Sequence, residues 1–233
     1  MASLPNALHT AYRGVRFLSR VAIRDVSNLF AYGPHTPRMH ERIWVDPRQC
    51  ETMNAEFNWD DFGAIRKGDW DIQSEPLAYE PRTQASRDHW VKIQACLAHW
   101  NDGISWEATG IYDHLLKLIE KRGTTDECQS IEDIIHRYQR LDEIFHIVRD
   151  NQRLSSTAEL SRLHFREAGG IVFHVDRNLR PIFGFWGCHR FAMAITVGLS
   201  SIPAQVGVVH DDAKNMASAT ANATASATAT AMN

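Results

Sequence analysis

Between Trp90 and Val148, large apolar residues recur every three to four positions, the period of helices with one buried face. Trp90, Ile93, Leu97 and Trp100 share one such face, and the pattern stops at Asp102-Gly103. Ile111, Leu115, Leu118 and Ile119 share the next, which stops at Gly123. A third carries Ile131, Ile134, Ile135, Tyr138, Leu141, Phe145 and Val148, opened by Ser130 with Asp133 three residues on, a reciprocal capping arrangement. A weaker helical pattern runs from Thr157 to Glu167. Ahead of these helices, Arg42-Ile43-Trp44-Val45-Asp46 reads as a short strand ended by Pro47. The stretch from Glu51 to Asp71 reads as loop plus a short strand, punctuated by Gly63 and Gly68.

Beyond residue 169 the period changes. Gly170 to Val175 predicts a strand, and Asp176-Arg177-Asn178-Leu179 a turn in which Asn178 suits the left-handed conformation. Pro181 to Phe183 returns as a short strand. Gly187 then opens a short helix with Phe191, Ala194 and Ile195 inward; Gly198 ends it, Leu199 packs back, and Ile202 to Val209 forms a last strand. Strand, helical block, hairpin, helix, strand is an α+β order.

At the other end, Arg13, Arg16, Arg20 and Arg24 are interleaved with Phe17, Leu18, Val21, Leu29 and Phe30, which predicts a basic amphipathic helix over 9–30 broken by Tyr32-Gly33-Pro34. Such a helix serves either to dock on the domain with its arginines in water or to lie on an anionic membrane surface. From Met216 onward only Ala, Thr, Ser and Asn remain, apart from Met232, a composition that predicts a disordered tail. The expected organisation is a helix at 1–31, a domain at 32–214 with a helical insertion at about 84–167 and a signature region at 170–210, and a tail at 215–233.

The 233 residues are 44% hydrophobic and 23% charged, the balance of a soluble globular chain able to bury a core. A net charge of -3 gives no general pull toward nucleic acid. The four cysteines form no C-x-x-C pair, against a zinc knuckle or dithiol motif. With no apolar run long enough to span a bilayer, a reducing cytoplasm is the expected setting, peripheral membrane contact through the first helix being the alternative to docking.

The residues with most chemistry are Gly187-Cys188-His189-Arg190. A helix start presents free N–H groups and partial positive charge, glycine lets a phosphate approach the backbone, and arginine adds a planar donor fork. Gly187, Cys188, His189 and Arg190 are therefore the expected nucleotide-phosphate ligands, against the plainer reading of a glycine turn that only enters a helix. At that position Cys188 is expected to have a lowered pKa, the alternative being a small residue chosen for size. His189 is a candidate phosphate donor or general acid/base, and Asp46 a candidate base. Of the acidic cluster Glu56, Asp60, Asp61, Asp69 and Asp71, the last two are the candidate Mg²⁺ ligands, against a solvated acidic loop. Arg66 and Lys67 are either phosphate contacts or a solvated pair.

Phe185-Trp186-Gly187-Cys188-His189-Arg190-Phe191, followed by Ile202-Pro203-Ala204-Gln205-Val206, resembles the signature of the ParB/sulfiredoxin superfamily. Residues 32–210 resemble a ParB-like branch associated with surface-polysaccharide genes, whose blocks stand here as Tyr32-Gly33-Pro34, Ile43-Trp44-Val45-Asp46-Pro47 and Gly68-Asp69-Trp70-Asp71 beside Gly187-Cys188-His189-Arg190. The resemblance implies a small mixed sheet with the helical block as an insertion. It implies ATP or another nucleoside triphosphate with Mg²⁺, and phosphoryl transfer to a small hydroxylated molecule or glycan precursor. The alternatives it leaves open are a sulfiredoxin-like sulfinic acid reductase using Cys188, a non-catalytic nucleotide sensor, and a DNA-associated protein. Sulfiredoxins lack the helical block, and no helix-turn-helix domain follows His210, so nucleic acid is not the expected partner.

Overall fold

The computed structural model describes residues 19–34, 36–160 and 166–213. In chain order these form helix α1 (residues 19–32), strands β1 (Arg42–Val45), β2 (Thr52–Met53), β3 (Ile65–Arg66) and β4 (Glu75–Pro76), and helices α2 (Gln84–Asp102), α3 (Ile111–Arg122), α4 (Ile131–Asn151) and α5 (Thr157–Leu160). Strands β5 (Val172–Val175) and β6 (Pro181–Phe183), helix α6 (Cys188–Val197) and strand β7 (Ile202–His210) complete them. The architecture is α+β, with a small mixed sheet in the order β1-β7-β5-β6-β2-β4 and β3 paired to the far half of β7.

β7 is buried along its whole length because it has neighbours on both edges. It runs antiparallel to β1 (Ile43↔Ala204) and parallel to β5 (Val172↔Gln205). All four residues of β5 are buried, as expected of a strand covered on both faces. One face carries α6, with α2 and α4 packed on it; Phe191, Ala192, Met193 and Ala194 are sealed there. The other is covered by the loop carrying Phe57, Phe62 and Trp70.

The helical insertion obeys its caps. Ser130 and Asp133 close the reciprocal box on α4, and Gly103, Gly123 and Gly198 end α2, α3 and α6 in left-handed turns. Leu199 is buried after its N–H bonds the Ala194 carbonyl. Asp142 of α4 ties the insertion together: its two oxygens accept from the indoles of Trp100 and Trp106, each at 2.9 Å.

Several boundaries moved. α1 continues through Tyr32 before Gly33 (φ 93°) ends it; its expected portion before residue 19 lies outside the described residues, as does the tail from 214. α5 ends its described course at Leu160, and Glu167, expected in that helix, lies in a turn and is fully buried. β1 stops at Val45 because Asp46 caps a 3-10 turn, Pro47–Gln49. In the β5–β6 turn the left-handed residue is Leu179 (φ 64°), since the Asp176 carboxylate accepts from the N–H groups of Asn178 and Arg180 at 2.8 and 2.7 Å and fixes the turn around them.

The register between β5 and β7 shifts between Phe173 and Val175, and a side chain fills the gap. The imidazole Nδ1 of fully buried His174 accepts the Val208 N–H at 2.8 Å, taking the place of a ladder bond. Gly207 makes room for it: a Cβ there would lie 2.2 Å from that nitrogen. Gly207→Ala is therefore expected to cost about 1–3 kcal/mol by overpacking. Urea unfolding checks this, and an unchanged midpoint contradicts it.

Candidate functional site

Gly187 precedes α6 in the left-handed conformation, φ 80°. Its backbone lies against β5: a Cβ would sit 2.9 Å from Ile171 Cα. Glycine is thus required twice, for its dihedral and for the close approach. The first N–H groups of α6 have no side-chain cap, and the turn is enclosed, with Cys188 buried.

Three groups of residues surround this helix mouth. His89 and Lys92 come from α2, Asp126 from the α3–α4 connection, and Arg137 and Tyr138 from α4. Lys92 is only 6% exposed. Its ammonium lies 2.6 Å from an Asp126 carboxylate oxygen. Asp126 and Glu127 both have positive φ (49° and 66°), in a tight turn closed by paired bonds between Thr125 and Cys128. Left-handed non-glycine residues cost on the order of 1–3 kcal/mol each, so the fold spends conformational energy holding Asp126 there. Burial raises the Asp126 pKa, but Lys92, with Arg137 behind it, outweighs it and holds the carboxyl below its ordinary value.

His189 meets Tyr138, Nε2 to Oη, at 3.3 Å, and the two rings stand edge to face. Burial pulls its pKa to about 4, so it is a neutral imidazole at pH 7. Cys188 is buried, with its sulfur 3.4 Å from His89 Nδ1 and 3.4 Å from the Phe185 carbonyl. Burial pushes the thiol up to about 12, only partly opposed by Lys92. The expected thiolate is thus corrected: desolvation exceeds the pull of the helix end. Arg190 turns away from the mouth, and its guanidinium donates to the Ser155 carbonyl near buried Glu167.

The other expected residues lie elsewhere. Asp46 accepts from its neighbour Arg48 through two 2.8 Å bonds, which hold it below the usual carboxylate range, and makes no hydrogen bond to the α6 mouth. Asp69 and Asp71 both receive the Arg177 guanidinium, at 2.8 and 2.7 Å, which draws Asp71 down to about 2. They stand at the C-terminal end of β5, whereas Gly187 stands at its N-terminal end, so the length of that strand, about 13 Å, separates them. They were expected to hold Mg²⁺ beside a phosphate at Gly187; the fold does not bring them together with it. Asp61 pairs with Arg66 at 2.8 Å and Lys67 with Asp211 at 3.6 Å, both at the surface; Asp60 joins Asp61 in a 3-10 turn and Glu56 is bonded through its N–H to Asn54. Among the described residues no three His, Cys, Asp or Glu gather as a metal site.

Lys92 and Asp126 escaped sequence reasoning. The signal for the first was present: His89, Lys92 and Cys96 share the inward face of α2, where a lysine is out of place. Asp126 had none, because only the folded turn brings it to Lys92. Compared with known proteins, the chain matches no family model, no curated protein and no solved structure.

The buried histidines set an acid limit. His89, His174 and His189 each have a folded pKa of about 4 through burial, against 6.5 when unfolded. A depressed pKa means the unfolded chain takes the proton first. Stability is therefore complete above pH 6.5 and drains as pH falls toward 4, by several kcal/mol in all. Urea midpoints at pH 7 and pH 4.5 check this; equal midpoints contradict it. In the same way, a thiol reagent at pH 8 is expected to find no fast-reacting cysteine in the native protein, since all four are buried.

Proposed function

We propose that the first turn of α6 binds the phosphates of a nucleoside triphosphate, ATP foremost, and that the chain transfers a phosphoryl group to a small hydroxylated acceptor such as a glycan precursor. One observation carries this reading: the amides of Cys188, His189 and Arg190 lack a side-chain cap and stand near Lys92, a buried lysine paired with Asp126 on a strained turn. Helix N-termini and lysine are both phosphate ligands, and in phosphoryl transfer positioning and charge do most of the work. The resemblance of Gly187-Cys188-His189-Arg190 to the ParB/sulfiredoxin signature points the same way.

In this reading Gly187 seats the turn against β5, the amides of residues 188–190 and Lys92 hold the phosphate, and Arg190 braces the helix through Ser155. A phosphate on Lys92 would compete with Asp126, whose released carboxylate then serves as the base that Asp46 does not supply. His189, neutral and fixed by Tyr138, donates or accepts one hydrogen bond. Asp69 and Asp71 do not fit the magnesium that accompanies such a nucleotide, since Arg177 occupies both. The reductase alternative needs a nucleophilic thiolate, and a thiol held near 12 argues against it. No helix of the described residues is long and apolar enough to cross a membrane.

Calorimetry with ATP and Mg²⁺ tests this. The wild-type chain is expected to bind, Lys92→Met to bind about tenfold or more weakly, as for the loss of one charged hydrogen bond, and Cys188→Ser to bind and turn over normally. Unchanged affinity in Lys92→Met, or turnover abolished in Cys188→Ser, contradicts the reading.

A further inference from the structure

Helix α1 is docked with its polar side inward. Arg24 donates to the Asp60 carbonyl at 3.0 Å, Asn28 donates to the Gly63 carbonyl at 3.3 Å, and Asp25 accepts the Met39 N–H at 3.3 Å. On the opposite side Ile23, Val26 and Phe30, spaced i, i+3 and i+7, are 67%, 51% and 85% exposed. A surface helix ordinarily turns its apolar stripe to the core. Here three polar anchors hold the stripe outward.

The charge around the stripe selects its occupant. Residues 1–23 contain Arg13, Arg16 and Arg20 and no Asp or Glu, in a chain whose net charge is -3, while Arg24 is paired inward with Asp25. Arg20, exposed, lies one turn before Ile23 and Arg24. A second copy on this face would bring like charge against like, whereas an anionic lipid surface offers both hydrocarbon for the stripe and negative charge for the arginines. From this we infer that α1 lies in the plane of an anionic bilayer surface, with Ile23, Val26 and Phe30 in the acyl boundary and Arg20 at the headgroups. The net negative charge of the remaining domain disfavours attachment by any other face.

Co-sedimentation of the full chain with phosphatidylcholine vesicles, with and without phosphatidylserine, tests the inference. Binding is expected to the phosphatidylserine vesicles, to fall steeply with added salt, and to drop about tenfold or more in the double variant Ile23→Glu, Phe30→Glu. Arg20→Glu, at an exposed position, is expected to weaken binding with no change in melting temperature, and serves if the double variant folds poorly. Three results overturn the inference: no sedimentation with either vesicle, binding indifferent to these variants and to salt, or a wild-type dimer in light scattering that the double variant abolishes while neither binds vesicles.

Discussion

The contact between the backbones of Gly187 and Ile171 decides where α6 begins. A methyl group at residue 187 would lie 2.9 Å from Ile171 Cα, inside any tolerable separation. Because the approach is so close, the first turn of α6 is pinned to the N-terminal end of β5, and β5 in turn is fixed by β7, whose Gln205 N–H bonds the Ile171 carbonyl. Every side chain around the helix mouth is placed relative to that seam. The three helices of the insertion then cover α6, bringing Lys92, Asp126 and Tyr138 to a turn that a simple hairpin and helix would leave in water.

Enclosure also settles a competition of magnitudes. A helix N-terminus stabilises an anion by about 0.3–1 kcal/mol at exposed sites and up to about 2 when partly buried, a pKa change of little more than one unit. Cys188 instead rises from 9.0 to about 12. Loss of water around the sulfur outweighs the helix end and the nearby lysine together. The same dehydration keeps His89 and His189 neutral, leaving Lys92 and Asp126 as the charged pair beside the mouth. A pair of this kind suits an exchange in which an incoming anion takes the cation and frees the carboxylate.

Much of the fold was legible in the chain. Helical period and caps carried α2, α3, α4 and α6, because a Ser130–Asp133 box and a terminal glycine act within a few residues. One short strand was expected within 51–71, where two, β2 and β3, form; β4 was not legible, since it exists only by pairing with β2. The Asp69-Asp71 pair looked like a cation site because its counterion, Arg177, stands more than a hundred residues away in sequence. Asp46 looked like a catalytic carboxylate for the opposite reason: its partner Arg48 is so near that the turn capping it resembles free loop. The amphipathic character of α1 was legible, but of its exposed stripe only Phe30 was among the apolar residues expected, and which side meets the protein depended on three bonds to distant backbone atoms.

The central claim is that the uncapped amides at the α6 mouth receive phosphate oxygens. The most direct measurement is a nuclear magnetic resonance titration with ATP and Mg²⁺ of the uniformly ¹⁵N-labelled chain. The account predicts that the largest saturable amide shifts fall on Cys188, His189 and Arg190. Saturable shifts confined to other parts of the chain, or none at all, would contradict it.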